Sequence, residues 1–387
     1  MSGHRAVALF AGIGGLEVGL HRHGWATELF CEVDPAAQAV LAVRFPGVDQ
    51  HDDVTRLRAL PYGVDLVAAG FPCQDLSQAG PTAGIGGTRS GLVDEVFRLI
   101  GRRRGGPRWL LLENVPFMLQ LQGGQAMRHL TGALAERGFR WAYRVVDARA
   151  FGLPQRRPRV VLLASRTEDP RAVLFRTDAM PPTDPHPADV ACGFYWTEGI
   201  RGLGWAVDAI PTLKGGSTIG IASPPAIRLP QGGLVTPGIS DAERLQGFPA
   251  GWTEPALGKV GVRTGHRWKL VGNAVSTGMS DWIGAELRAH GAYEADGERR
   301  LNPGDPWPAG AWGTDGLAYR VNRSPWPVRG SYRHLAGFVR EPKPLSARAT
   351  AGFLRRARAG GLRFVPGFLD DVADHLRTMG GDPREAA

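Results

Sequence analysis

A cysteine, a carboxylate and a group of arginines each stand where an apolar run ends or begins. Cys73 lies in Gly70-Phe71-Pro72-Cys73-Gln74, straight after Asp65-Leu66-Val67-Ala68-Ala69. Glu113-Asn114-Val115 follows Trp109-Leu110-Leu111-Leu112, and Gln155-Arg156-Arg157-Pro158-Arg159 leads into Val160 to Ala164. Pro72 fixes its own φ and biases Phe71 towards extended backbone, so the thiol is presented by a stiff turn and can serve as a nucleophile. A glutamic acid among apolar neighbours can hold a proton at neutral pH and donate it. Clustered arginines entering a core strand suit an anion or a carbonyl oxygen. Taken singly, each has a plainer reading: Cys73 as a small buried hydrophobe, Glu113 as a structural carboxylate bound to backbone.

Chemistry of this kind needs a frame, and the start of the chain supplies one. Ala6 to Phe10 reads as a strand, Ala11-Gly12-Ile13-Gly14-Gly15 as a glycine loop, and Leu16 to Leu20 as a helix that Gly24 can close. Strand, loop and helix make a nucleotide-binding turn. The next strand, Ala26 to Cys31, ends in Glu32-Val33-Asp34, a carboxylate about 20 residues after the glycines, the spacing at which such folds bind ribose hydroxyls. A third acidic edge is His51-Asp52-Asp53-Val54. Acids at successive strand ends suit an adenosine, whose ribose and amino group both need acceptors, or else act as helix N-caps. No phosphate-cradling lysine follows the loop, so an adenosyl-sulfonium cofactor fits better than NAD.

The 387 residues, 43% hydrophobic, can bury one large α/β core and a smaller domain or two. Cys31, Cys73 and Cys192 show no paired spacing, which argues against a disulfide framework and a zinc site. No stretch approaches a membrane span and the first ten residues lack a signal-like apolar region, so a cytoplasmic protein is expected. A net charge of +9 with arginine far exceeding lysine favours a polyanionic partner, although a GC-rich genome gives the same bias. Asp75 to Gly91, rich in Gly, Ser, Thr and Pro with Arg89 near its end, reads as an active-site loop.

The set Phe10-x-Gly12-x-Gly14-Gly15, Gly70-Phe71-Pro72-Cys73-Gln74, Glu113-Asn114-Val115, Gln155-x-Arg157-x-Arg159, Arg244-Leu245-Gln246-Gly247-Phe248-Pro249 and Gly272-Asn273-Ala274-Val275 resembles the DNA (cytosine-5)-methyltransferases of bacteria and phages. Six motifs in the family's order span most of residues 1–290. The resemblance implies an α/β fold: a Rossmann-like sheet for S-adenosylmethionine, a small target-recognition domain and, here, an extra C-terminal segment. The expected boundaries are a catalytic domain at 1–165, completed by about 266–290, a recognition region at 166–265 and a basic, aromatic extension at 300–387. The implied reaction is methyl transfer to C5 of cytosine in duplex DNA at a specific sequence, as in restriction-modification. RNA cytosine methylation on the same scaffold, or silent nucleic-acid binding, are the alternatives.

By the same resemblance Cys73 adds to C6 of the ring, Glu113 protonates N3, Asn114 holds the loop geometry, Arg159 contacts O2 and Arg157 supports the site. Phe10, Gly12, Gly14, Gly15 and Leu16 line the cofactor, Glu32 with Val33 meets the ribose, and Asp53 with Val54 meets the adenine amino group. Pro72, Leu92, Asn273 and Val275 complete that pocket. Ser77, Arg89, Gln155, Lys214, Ser217 and Thr218 are the expected DNA contacts, and the target base must leave the stack to be reached. A monomer acting on DNA near the nucleoid, without metal, is expected. Interleaved Trp307, Trp312, Tyr319, Arg320, Arg323, Trp326, Arg329, Tyr332 and Arg333 suggest that the extension shares in DNA binding, or that it is a small stabilising or dimer-forming domain.

Overall fold

The computed structural model describes residues 4–71, 92–101, 106–215, 222–259, 261–289 and 291–384. The chain opens with β1 (His4–Leu9), α1 (Gly15–Arg22), β2 (Trp25–Cys31), α2 (Pro35–Arg44), β3 (Asp49–His51) and β4 (Leu66–Ala69). Next come α3 (Leu92–Ile100), β5 (Trp109–Asn114), α4 (Gln125–Glu136), β6 (Arg140–Asp147), β7 (Gln155–Arg156), β8 (Pro158–Ser165) and α5 (Arg171–Leu174). A second group holds the short strands β9 (Cys192–Phe194), β10 (Ala206–Val207), β11 (Ile210–Pro211), β12 (Ala226–Arg228) and β13 (Leu234–Thr236). Three helices follow, α6 (Ile239–Leu245), α7 (Thr264–Asn273) and α8 (Thr277–Arg288). The last are β14 (Arg299–Arg300), β15 (Gly310–Thr314), β16 (Leu317–Arg320), β17 (Lys343–Pro344), α9 (Ala347–Ala359) and α10 (Phe368–Thr378).

The described strands of the large sheet run β14-β16-β15-β6-β8-β5-β4-β1-β2-β3. Strands β3, β2, β1, β4 and β5 are parallel, and β8 inserts antiparallel between β5 and β6. β4 and β5 are buried at every position. Their uninterrupted apolar runs follow from that, since both faces of a parallel sheet are covered. Local signals set the helices. Asp34 accepts a hydrogen bond from the Ala36 N–H and Pro35 opens α2, the favoured residues for those two positions. On α3, Val93, Val96, Phe97 and Ile100 face the core at helical spacing.

Phe10, Glu32, Gly70 and Asn114 therefore emerge at one edge, where β8 begins with Pro158 and Arg159. Strand order reverses between β2 and β4 on either side of β1, the place at which such sheets bind ligands.

A second sheet, β10-β9-β12-β13-β17, belongs to the region after residue 190 and is joined to the first by the two-stranded pair β11-β7. The expected C-terminal extension is divided between the two sheets. β14, β15 and β16 widen the large sheet beside β6, whereas β17, α9 and α10 build the small lobe. Phe353 and Phe368 pack on Phe194 with ring centroids 5.1 Å apart in each case. His375 donates through Nε2 to the Leu345 carbonyl (2.8 Å) and accepts through Nδ1 from the Leu234 N–H (3.2 Å). Among the described residues no helix is long and apolar enough to cross a membrane.

Candidate active site and cofactor cavity

The ends of β5 and β8 bring Glu113 and Arg159 together. Arg159 Nε lies 2.9 Å from Glu113 Oε1, both side chains about one-tenth exposed. Burial pushes the Glu113 carboxyl above its usual range, and the Arg159 and Arg157 charges only partly pull it back. The arrangement makes Glu113 hold a proton more readily than a solvated glutamate does. Gly70, the residue after β4, faces this carboxylate: a Cβ built there would stand 3.6 Å from Glu113 Oε2. Asn114 Nδ2 donates to the Phe71 carbonyl (3.1 Å), while its Oδ1 accepts from the Val115 N–H. Asn114 thus clamps the turn leading out of β4 to the end of β5. Pro72, Cys73, Ser77 and Arg89 lie outside the described residues, as do Ser217 and Thr218.

Arg157 is fully buried. Its guanidinium donates to the carbonyls of Leu213 (3.1 Å), Gly272 (2.9 Å) and Ala274 (2.7 Å). Burial, then the neighbouring Arg159, lowers its proton affinity well below the usual guanidinium range. Clustered arginines were expected to hold an anion or a carbonyl oxygen; Arg157 holds three, all of them the protein's own. The expectation that Gln155 meets DNA is corrected, because it has no exposed surface. Its amide donates to Leu245 O and Gln246 Oε1 and accepts from the Leu213 N–H. Gln246 in turn donates to Val271 O (2.8 Å). The Gln-Arg-Arg and Arg-Leu-Gln-Gly motifs are bolts between elements here.

Lys214 stands half-exposed but engaged, 2.6 Å from Glu198 and over the Tyr195 ring. Tyr195, a residue the sequence reading missed, donates to Thr212 O and feels the Arg157 and Arg159 charges. No motif spacing marks it.

Beside this cluster a cavity of about 430 Å³ is lined by Phe10, Gly12, Glu32, Val33, Asp53, Val54, Gly70, Leu92 and Asn273. Phe10 takes the left-handed conformation (φ 55°), as does Gly12 (φ 56°), which turns the loop away from the strand. Glu32 accepts from the N–H groups of Gly12 (2.7 Å) and Asp34 (2.8 Å), fixing its carboxylate at the cavity wall. Asp53 is held by the Thr55 N–H and hydroxyl. Cys31 also reaches the cavity, but burial and then Glu32 push its thiol up to about 12, so it stays protonated.

Leu16, Gly15 and Val275 line a smaller neighbouring cavity. Gly14, expected beside the cofactor, is not among the residues lining either cavity, and a Cβ there would stand 2.3 Å from the Phe45 ring. Gly15 serves close approach, for its Cβ would meet Val275 O at 2.4 Å.

The fold matches known methyltransferases. The S. pombe Dnmt2 methyltransferase superposes with a TM-score of 0.55 at 16% identity over 73% of this chain and 98% of that one. The Entamoeba histolytica methyltransferase EhMeth gives 0.51 at 14%, over 74% and 98%. Residues 4–189 match the family model described as C-5 cytosine-specific DNA methylase. The Type II methyltransferase M2.BsuMI of Bacillus subtilis is 51% identical over 95% of this chain and 97% of its own. The Type II methyltransferase M.BanI of Aneurinibacillus aneurinilyticus is 34% identical over 43% of this chain and 40% of its own. The chain belongs to the C-5 cytosine-specific DNA methylases, and its activity is that of a DNA (cytosine-5)-methyltransferase.

Proposed function

We propose that the chain methylates C5 of cytosine within a specific duplex sequence, as a restriction-modification enzyme does, drawing the methyl group from S-adenosylmethionine. The chemistry of the cavity supports that cofactor. Two carboxylates at successive strand ends supply acceptors for ribose hydroxyls and an adenine amino group, and no lysine on the glycine loop awaits a pyrophosphate. When bound, the cofactor supplies a methyl group made electrophilic by its sulfonium. Glu32 would hold the ribose, Asp53 and Val54 the adenine edge, and Phe10, Leu92, Asn273 and Val275 the remainder.

The residues of the chain do the rest. Cys73 is the nucleophile by sequence: its thiolate adds to C6, and the electrons displaced towards N3 leave C5 able to take the methyl group. Glu113 donates the proton that N3 then needs. Arg159 would contact the base through O2 while pairing with the Glu113 carboxyl. Arg157 and Asn114 act through others, the first by locking the surrounding loops and the second by clamping the turn before Cys73. Loss of the C5 proton and departure of the sulfur complete the reaction. These side chains cannot reach a stacked base, so the cytosine must be flipped out.

The observation carrying this reading is the Glu113–Arg159 pair beside Gly70, a residue that also lines the acid-walled cavity. Base-resolution methylation mapping of DNA from cells expressing the chain tests it. The expected result is 5-methylcytosine at one recurring sequence, lost in C73A. Methylation persisting in C73A, or modification at a different atom, would overturn it.

A further inference from the structure

Behind the glycine loop the smaller cavity, about 40 Å³, has one wall that the reaction above leaves unused. Glu17 lines it, is 2% exposed, and its Oε2 has no hydrogen-bond partner among the described residues. The cavity shares Phe10, Gly12, Gly70, Asn273 and Ala274 with the larger one, so the two adjoin. None of the described residues lining it is basic, and the other titratable group there is Glu113. Burial raises the Glu17 carboxyl to about 7, opposed only by its own backbone N–H. An acid in the first turn of a helix ordinarily sits in water and complements the helix dipole. A buried carboxylate without a cation is costly to keep, and a ligand that brings the cation removes the difficulty.

We propose that Glu17 is the acceptor for the α-ammonium group at the amino-acid end of the methyl donor. The inference rests on the adenosyl-sulfonium reading above and extends it. The narrow cavity has room for an ammonium-sized head but not for a purine, so the nucleoside portion is left to Glu32 and Asp53 in the larger one. A charge-assisted pair formed in a buried site is worth at least about tenfold in affinity. Glu17 is then a positioning residue: by tying down the tail it fixes where the reactive end of the cofactor lies relative to Gly70 and Glu113.

Calorimetric titration of the full chain tests this with two probes, S-adenosylhomocysteine and its deamino analogue, in which hydrogen replaces the ammonium group. The isosteric variant E17Q is neutral and tolerates burial, and its thermal transition reports folding. Wild type is expected to bind S-adenosylhomocysteine at least tenfold more tightly than the deamino analogue. In E17Q that preference should vanish, through weaker binding of S-adenosylhomocysteine alone. Equal affinity of wild type and E17Q for S-adenosylhomocysteine would overturn the proposal, as would an equal loss for both probes. If wild type binds neither probe, it is the adenosyl-sulfonium reading itself that fails.

Discussion

At the scale of single residues, two buried acids share one corner of the molecule and behave differently. Glu113 has Arg159 at 2.9 Å, whereas Glu17 has no cation beside it among the described residues. Removing the proton donor while keeping its shape, as in E113Q, should lower kcat by about 10²- to 10⁴-fold with DNA and cofactor affinity retained, measured in single-turnover and binding assays. Glu17 predicts a dependence of stability on pH. Its carboxyl titrates near 7 when folded and near 4.3 when unfolded. The folded state therefore binds more protons between these values, and stability present below the lower one is lost as pH rises through the upper. The loss is about 4 kcal/mol in the ligand-free chain. E17Q should accordingly unfold at higher urea than wild type at pH 8, with the gap closing towards pH 5; a pH-independent gap would contradict this. Glu113 and Arg159 were legible because each follows or opens an apolar run within a recognisable motif. Glu17 was not, since an acid at the start of a helix looks like a solvated one until the neighbouring β1 edge, Gly70 and Asn273 are seen to enclose it.

At the scale of elements, α1 and α8 meet backbone to backbone. A Cβ at Gly19 would stand 2.1 Å from the Asp281 nitrogen and 2.2 Å from the Ser280 carbonyl carbon, and the Ser280 hydroxyl donates to Gly15 O (2.7 Å). This contact brings the Asn273–Val275 turn from late in the chain against the glycine loop at its beginning. G19A should overpack the joint, destabilising the fold by about 1–3 kcal/mol and weakening S-adenosylhomocysteine binding, since Asn273 and Val275 shift with the helix. R157A should strip the buried Leu213 and Gly272 carbonyls of their donor, with Ala274 O keeping only Gln246 Nε2 at 3.3 Å, and destabilise by about 3 kcal/mol, measured by urea unfolding. The sequence placed the strands and helices well because apolar runs and caps are local signals. It misjudged Gln155, whose partners, Leu213, Leu245 and Gln246, are roughly 60 to 90 positions away, as the sequence separations of those bonds record. A polar residue in a motif has the same appearance whether it meets a ligand or another part of the chain.

At the scale of the whole molecule, the segment after residue 298 links the two sheets. Trp307 donates to Gly124 O and packs edge-on against Trp141, Trp312 stacks on Tyr319, and Trp326 is buried. Tyr332 donates to Asp208 O, and Arg144 reaches Ser324 O from inside the core. The aromatic residues that suggested base stacking are thus spent within the protein, which favours the stabilising role over DNA contact for them. Sequence alone left this open because two-residue strands such as β14 and β17 carry almost no pattern. Deleting residues 299–387 should uncover Phe194, Ala226 and Leu234, giving an insoluble chain rather than a soluble enzyme with weaker DNA affinity; sedimentation of the expressed fragment distinguishes the two.

That lobe draws on stretches of chain far apart, β9, β10, β12 and β13 from one and β17, α9 and α10 from another, separated by α6, α7 and α8. Transplanting the lobe between relatives as a single contiguous cassette would divide a shared interior between donor and host. A graft carrying both stretches, Phe353 and Phe368 included, is the smallest unit that could be moved with its own core intact.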